Sequence, residues 1–572
     1  LSSIFERLVG LETEYAIRFH PRGIIEKLPT KFALYQALVD GVRRRVMTVE
    51  AKHFKEGVFT ANGGAIWFEA TAGGGLVEGA TPECRGPREL LTYQRMQDHL
   101  LSEAASEANQ PGELSLIKND RDSQGNIYGA QENYETELAR GFWLVVWRLG
   151  LVALAPLIVM TWLGFLALLL GLGIYFVVAG LICFTVGPFA QGRENLANLL
   201  FGNDDTDEEE ITPGWLETAL MWMTRILTTP LASSLYLLLR VTAFRPIRYH
   251  LLPLLVSRCI IGGSGMVDDE GDFRLADKAD AMNCVFGYGG YLNDRPIFIA
   301  GHFLKTLCLQ AWFSPREYFD LFAAKQRLQI GLGDSNMADI AEYLRVGTTL
   351  LTIDAIEAGY IRQTPRLARP IQALQIFNSD PTLQASVIGS DGKEYTAMSI
   401  QRFYLEKCQH FVDDQDSPPA EATELLTLWR ESLDLLETSQ DSLVGSIDWV
   451  TKQYLLQRAG ADARWDEKKK IDLKYHELTA EGYFQVLKVN GVVPTLVDVD
   501  DIQRAVRIPP PNTPATTRAH YIREFGQSYH GLTVNWKTIT LGTGSGAKVI
   551  RLSEYGRKIQ TDEDEQDQEV HI

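Results

Sequence analysis

No two of the six cysteines (Cys84, Cys183, Cys259, Cys284, Cys308, Cys408) stand in CxxC spacing. That excludes a disulfide framework and a paired-cysteine zinc site, and fits a reducing compartment. Basic charge is also short: 55 Lys plus Arg face 73 Asp plus Glu, a net charge of -18 over 572 residues. Such a balance excludes nonspecific attraction to nucleic acid as the main activity and leaves proteins, small molecules or metals as partners. A phosphate loop is missing too. The stretch "LGTGSGAKVI" (Leu541 to Ile550) lacks the Gly-Lys-Ser/Thr ending and reads as a hairpin turn. At the start, "LSSIFERLVG" places Glu6 and Arg7 where a secretory signal needs an apolar run, so an unsecreted chain is expected. The longest gap is one of charge: from Leu149 to Ala190, 42 residues pass without an Asp, Glu, Lys or Arg.

A membrane-spanning helix needs about 20 apolar residues, so this run suits two helices folded back near Gly171 and Gly173; a buried hairpin of a soluble protein is the alternative. Trp143 and Trp147 precede it, where amphipathic rings favour the membrane interface. Behind it, "GNDDTDEEEITP" (Gly202 to Pro213) reads as a solvated acidic linker. The following apolar segment carries Arg225, Arg240, Arg245 and Arg248 and is interrupted by Pro230, so it is expected to lie in the interface rather than to span. Two crossings return the chain to its starting side. The expectation is a multi-pass membrane protein with two spans, Arg140, Arg148 and Arg193 on one side, and a cytoplasmic catalytic domain.

The remaining chemistry is carried by strand-like segments. In "LVGLETEYAIRF" (Leu8 to Phe19), alternation puts Glu12 and Glu14 on one face. Like charges side by side on a sheet call for a cation between them, and Mg2+ with nucleotide phosphate is a natural candidate; a solvated edge strand is the plain alternative. In "NGGAIWFEATAGGGLVEGATPEC" (Asn62 to Cys84), Ala65, Trp67 and Glu69 share a face, and Glu69 ends a strand beside a glycine-rich turn. "KNDRDSQGNIYGAQENY" closes on Glu132, and "GLGDSNMADI" reads as strand, turn and helix start with Asp334, Ser335 and Asn336 as capping candidates. The tail "TDEDEQDQEV" is a like-charge run expected to be disordered.

Taken in order, "GLETEYAI", "NGGAIWFE", "GATPEC", "KNDRDSQGNIYGAQENY", "LLPLLVSRCIIGGSG", "GDSNMADIAEYLRVGTTLLTIDAIEAG", "IDWVTKQYLLQ", "KIDLKYHEL", "PPPNTPATTRA" and "LTVNWKTITLG" resemble the family of Pup-protein ligases and Pup deamidases (depupylases), proteasome accessory factors of the glutamine-synthetase-like carboxylate-amine ligase superfamily. The resemblance implies an α+β fold, with a curved antiparallel sheet packed by helices, a small C-terminal domain and an inserted transmembrane helical hairpin. The expected divisions are catalytic domain, first part, 1–140; hairpin, 141–200; acidic linker and interfacial segment, 201–248; catalytic domain, second part, 249–455; C-terminal domain, 456–555; and tail, 556–572. It implies ATP and Mg2+ as cofactors, a Pup-like protein or another glutamate-bearing substrate as partner, a link to the proteasome system and protein degradation, and action on a glutamate carboxylate by ligation or deamidation. By position, Glu12, Glu14, Glu78 and Glu132 would belong to the metal site, while Thr81, Arg518 and Trp536 would contact ATP. Glu69 falls where the family has its catalytic aspartate. The family strand reads Asn-Gly-Ala-Arg-hydrophobic-Tyr-hydrophobic-Asp; here Ala65, Trp67 and Glu69 replace the Arg, Tyr and Asp. Its "TRDEPHAD" segment is not recognisable in "FIAGHFLKTLCLQAWFSPREY". These replacements keep two alternatives open: a catalytically diverged nucleotide-binding membrane scaffold, and a small-molecule carboxylate-amine ligase.

Overall fold

Alternation along the first strand sets the whole arrangement. The structure, a computed structural model, describes residues 4–23, 27–52, 56–70, 74–108, 110–121, 127, 129–185, 199–201, 214–460, 463–526, 531–543 and 546–552. The acidic linker, Arg193 and the tail fall outside them. Strand β1 (Leu8–Pro21) buries Leu11, Thr13 and Tyr15 on one face and carries Glu12 and Glu14 on the other. Around it an eleven-stranded sheet is completed by β2 (Thr48–Glu50), β3 (Gly57–Thr60), β4 (Ala65–Glu69), β5 (Leu76–Ala80), β6 (Cys84–Arg85), β7 (Gly112–Ile117), β8 (Ala130–Glu137), β9 (Cys284–Gly287), β10 (Pro296–Ile299) and β11 (Lys325–Ile330). Its main order is β9-β10-β11-β8-β1-β5-β4-β3-β2, with β6 and β7 also paired to β1. β9 and β10 pair in parallel, whereas β1 pairs antiparallel with β5, β6, β7 and β8.

Two helices cover the apolar face. α1 (Lys31–Arg45) begins at Thr30, whose hydroxyl accepts from the Ala33 N–H, and brings Phe32 and Tyr35 against Phe68 of β4 at 5.2 and 5.4 Å. α2 (Pro87–Ser106) starts with Pro at its first turn, and its Asp98 accepts a 2.7 Å hydrogen bond from the Tyr15 hydroxyl. With this face covered, the glutamates of β1 are directed to the other.

A second compact unit is formed by Glu137–Arg245 and Ala300–Gln326. Its apolar run does not turn at Gly171 or Gly173: α3 (Gly141–Thr185) is one continuous 45-residue helix with both glycines inside it. Nothing in the run breaks helical propagation, since every backbone donor can be satisfied inside the helix and Pro156 is accommodated. The partner helix comes from the segment expected at the interface. α4 (Gly214–Thr242) runs antiparallel to α3, with Leu238 against Gly150, Leu227 against Gly164 and Trp215 against Tyr175. A Cβ on Gly150 or Gly164 would lie 2.4 or 2.3 Å from a leucine Cδ1, so these glycines permit the close approach. Residues 300–326 pack on α3 in the same unit: the Trp147 and Trp162 indoles donate to the carbonyls of Leu321 and Leu307 at 2.7 and 2.9 Å, and the Tyr318 hydroxyl donates to that of Leu151 at 2.9 Å.

The GDSNM segment follows β11 as irregular chain, and Asp334, Ser335 and Asn336 do not cap the next helix, whose N-cap is Ala338. α5 (Asp339–Glu357) is instead started by Asp448, which accepts from the Met337 and Ala338 N–H groups at 3.1 Å each. Asp334 accepts from the backbone N–H groups of Ser264, Asp277 and Lys278 at 2.8 to 3.0 Å. The Asn336 amide donates to the Gly262 carbonyl, and Asp120 accepts from the Ser335 N–H. Asp120, Asp277 and Asp334 are thereby buried together. Burial, followed by the charges of Asp334 and Asp277, pushes the Asp120 carboxyl well above its usual range. Burial also pushes Asp277 up to about 7, despite its 3.0 Å pair with Arg121. Carboxyls whose folded pKa exceeds the unfolded one bind more protons in the native state, so their contribution to stability is present at low pH and lost as pH rises. We expect urea midpoints to fall between about pH 4 and 7, and Asp120→Asn to flatten that slope.

The C-terminal part supplies α6 (Pro514–Phe525) and a three-stranded sheet of β12 (Thr533–Val534), β13 (Thr538–Leu541) and β14 (Lys548–Arg551). Leu541 pairs with Lys548, so the expected hairpin is formed. Ile522, Leu532, Val534, Ile539 and Leu552 pack with Val49, Phe59, Ala65, Trp67 and Ala80, closing one end of the large sheet's second face.

Candidate active site

The polar centre of that second face is read directly from the register. Glu14 lies opposite Glu78 on β5, and Glu78 lies opposite Trp67 on β4; Glu12 lies opposite Ala80, which lies opposite Ala65. Glu69 pairs with Leu76 two residues further along the same face. Glu12, Glu14, Glu69 and Glu78, all expected from sequence, are therefore brought to one surface. Directly opposed cross-strand side chains have Cβ atoms about 4.5 to 5.5 Å apart, and like charges so placed are destabilising. The donor set, carboxylate oxygens on a rigid sheet, fits a hard divalent cation such as Mg2+.

Beside these acids are groups that sequence reasoning missed. Gln131 of β8 stands next to Glu12 in the register. From β11, the Arg327 guanidinium lies 3.4 Å and the Gln329 amide 3.5 Å from the two Glu12 oxygens, and Gln329 also donates to Gln131. The polar alternation of Arg327 and Gln329 with Leu328 and Ile330 is the signal for this strand, which ends at Ile330, before the Gly331 at which the sequence pattern suggests a strand. Lys278 approaches as well: a Cβ on Gly129 would lie 3.2 Å from both Lys278 Nζ and Glu14 Oε1. A cation thus stands on the face although Ala65 provides none.

Trp536 borders the site through rings. It meets Phe59 at 5.0 Å and Trp67 at 5.9 Å, both edge-on, forming an aromatic wall beside the Glu78 row.

Three expected residues are engaged elsewhere. Glu132 is opposite Leu11, so it points to the other face of the sheet. Fully buried, it takes 2.7 Å ion pairs from Arg258 and Arg345 and a 2.6 Å hydrogen bond from Tyr134, which occupy its acceptor positions on that face. Thr81 stitches strands: the Leu11 N–H donates to its hydroxyl at 3.0 Å and its own N–H to the Leu11 carbonyl at 2.9 Å. Arg518, also fully buried, forms a two-pronged pair with Glu83 at 2.7 and 2.9 Å and donates to the carbonyls of Gly63 and Trp536. Its two terminal nitrogens are thereby engaged within the protein, while its buried Nε has no hydrogen-bond partner.

A family model described as Pup-ligase protein matches residues 7–540. The chain belongs to the Pup-ligase family. Within it, the Pup–protein ligase of Corynebacterium jeikeium is 26% identical over 567 residues, covering 96% of this chain and 95% of that protein. The Pup deamidase/depupylase of Mycolicibacterium smegmatis is 31% identical over 328 residues, 55% of this chain and 62% of that protein. The fold agrees: the ligase PafA in complex with the prokaryotic ubiquitin-like protein Pup matches at TM-score 0.65 and 19% identity over 100% of this chain and 94% of that one. PafA in complex with ADP matches at TM-score 0.60 and 19% identity, over 96% of each chain. The expected α+β fold with a large curved sheet is therefore present. Relative to the Pup-ligase strand pattern, Ala65 and Trp67 have joined the apolar cluster with Ile522 and Ile539, so the face is drier at that end than a strand bearing Arg and Tyr would make it.

Proposed function

We propose that the chain is a Pup-modifying enzyme, dependent on ATP and Mg2+, that ligates or hydrolyses at the glutamate carboxylate of a Pup-like protein and is held at a membrane. The observation that carries this reading is the direct opposition of Glu14 and Glu78 on the same sheet face as Glu12 and Glu69. Glu12, Glu14 and Glu78 would hold Mg2+, and the aromatic wall of Phe59, Trp67 and Trp536 would border the nucleotide. When bound, Mg2+ and ATP would supply charge neutralisation and activation of the substrate carboxylate. Arg327 offers the cation for an anionic substrate group. Glu69 takes the proton from the incoming nucleophile, since a lysine amine is protonated at neutral pH and cannot attack until it loses that proton.

Glutamate places the carboxylate about one bond, roughly 1.5 Å, beyond an aspartate at the same backbone position, and misplacement of about 1 Å can cost ~100-fold. Glu69→Ala should lower turnover of a Pup substrate by about 100-fold or more, while nucleotide binding, measured by fluorescent-ATP titration, stays unchanged. Unchanged turnover would remove Glu69 from the chemistry. A second reading, a nucleotide-binding membrane scaffold, is favoured by the burial of Ala65 and Trp67 in the apolar cluster. It requires ATP binding with no transferred or hydrolysed glutamate, which mass spectrometry of the Pup substrate would separate from the first reading.

Membrane attachment is supported by α3, which is long and apolar enough to cross a bilayer, with only 6% of its most apolar window buried. Two crossings would return the chain to the side on which it entered, as a sheet built from segments before and after the insert requires.

A further inference from the structure

We infer that the two membrane-crossing legs are α3 and α4, and that the end of this hairpin bearing Tyr175, Phe201 and Trp215 lies on the opposite side of the membrane from the end where Arg140 enters and Arg245 leaves. The inference rests on the membrane attachment proposed above, and it replaces a fold-back inside the uncharged run.

Packed length supports it first. The overlap runs from Gly150 against Leu238 to Tyr175 against Trp215. At about 1.5 Å per residue, that is roughly 38 Å of α3 and 35 Å of α4, against a hydrocarbon core of about 30 Å. Charge is distributed to match. Arg140, Arg148, Arg240 and Arg245 stand at the entry end, and the Arg245 guanidinium lies 5.3 Å from the centre of the Trp143 ring. At the other end, residues 199–201 are fixed by the Tyr175 hydroxyl donating to the Leu200 carbonyl at 3.0 Å and by Phe176 against Phe201. The connection between Thr185 and Gly214 carries one basic residue, Arg193, which the two-span expectation put on the side of Arg140 and Arg148, against four arginines at the entry end; its other charges are Glu194, Asp204, Asp205, Asp207, Glu208, Glu209 and Glu210. Arginine-rich ends stay on the cytoplasmic side, so the Phe201 end faces out.

Five threonines along the legs are satisfied within their own helices. Thr161, Thr218, Thr228, Thr229 and Thr242 each donate to a carbonyl of their own helix, 2.6 to 2.8 Å away. Apolar side chains are turned outward instead: Met160, Leu163, Leu169, Leu170, Ile174 and Ile226 are exposed. The single charge between Thr218 and Leu239, Arg225, lies over the Trp222 ring at 5.6 Å.

The test uses the full chain carrying Cys183→Ser with Gly214→Cys or Arg140→Cys, expressed in bacteria and probed with a membrane-impermeant maleimide. The expected result is that Gly214→Cys is labelled in intact cells, that Arg140→Cys is labelled only after lysis, and that both proteins resist alkaline carbonate extraction from membranes. Labelling of both only after lysis, with extraction still resisted, would overturn the inference and return α4 to the cytoplasmic interface. Release by carbonate would overturn the membrane reading itself.

Discussion

Glu78→Ala will lower ATP-dependent turnover by at least about 100-fold without lowering the melting temperature of the metal-free protein. Most replacements of a buried side chain damage a fold, but this one removes a charge from a pair that the sheet register forces together. Glu78 is buried on β5 directly opposite Glu14, and like charges directly opposite one another across a strand pair are destabilising. A divalent cation that binds the native state alone raises its stability by mass action, so Mg2+ should raise the melting temperature of the wild-type protein and not of Glu78→Ala. Calorimetric scans with and without Mg2+, set beside ATP turnover, check both halves. Unchanged turnover with a large drop in melting temperature would make the acidic face structural.

How much of this was legible in the sequence depended on whether a feature was local. Period-two alternation put Glu12 with Glu14, and Glu69 with Ala65 and Trp67, on the faces they occupy, because a strand fixes facing residue by residue; Glu78 came from the resemblance alone. It could not say which strand lies beside which. Glu132 has strand parity opposite to that of its neighbour Gln131, and only the β1–β8 register shows that Gln131 shares the face of Glu12. Arg518 and Glu83 are 435 residues apart, so their pairing leaves no local signal. The apolar run was evident from composition, but its partner was not: α4 carries arginines and a proline, which argued for the interface, and only its packing against Gly150 and Gly164 identifies it as the helix paired with α3. The same unit accounts for the unrecognisable stretch around Phe303 to Phe322. Those residues pack against Trp147, Leu151 and Trp162 of α3, a contact that no local pattern announces.

Arg518→Ala is expected to destabilise the fold strongly, and its effect on ATP binding to follow from that. Removing one partner of a buried ion pair leaves an uncompensated charge and costs about 3 to 5 kcal/mol. Here the loss would strand Glu83 and also the carbonyls of Gly63 and Trp536, which Arg518 holds at 2.7 and 3.0 Å. Glu83→Ala should be milder, since the guanidinium keeps those two carbonyls and its stacking over Trp536 at 4.7 Å and Phe59 at 5.3 Å. Replacing both at once, Arg518→Met with Glu83→Leu, should recover much of the stability because no buried charge remains. The functional consequence runs through position: Arg518 ties the turn that precedes β4 to the backbone of Trp536, the two sides of the aromatic wall. The double variant should therefore fold but bind ATP more weakly, and by more than Trp536→Phe alone does. Denaturant titration of the four proteins, followed by nucleotide titration of those that fold, decides the matter. If Arg518→Ala kept wild-type stability and lost only nucleotide affinity, Arg518 would be a phosphate contact after all, and the pair with Glu83 would be incidental.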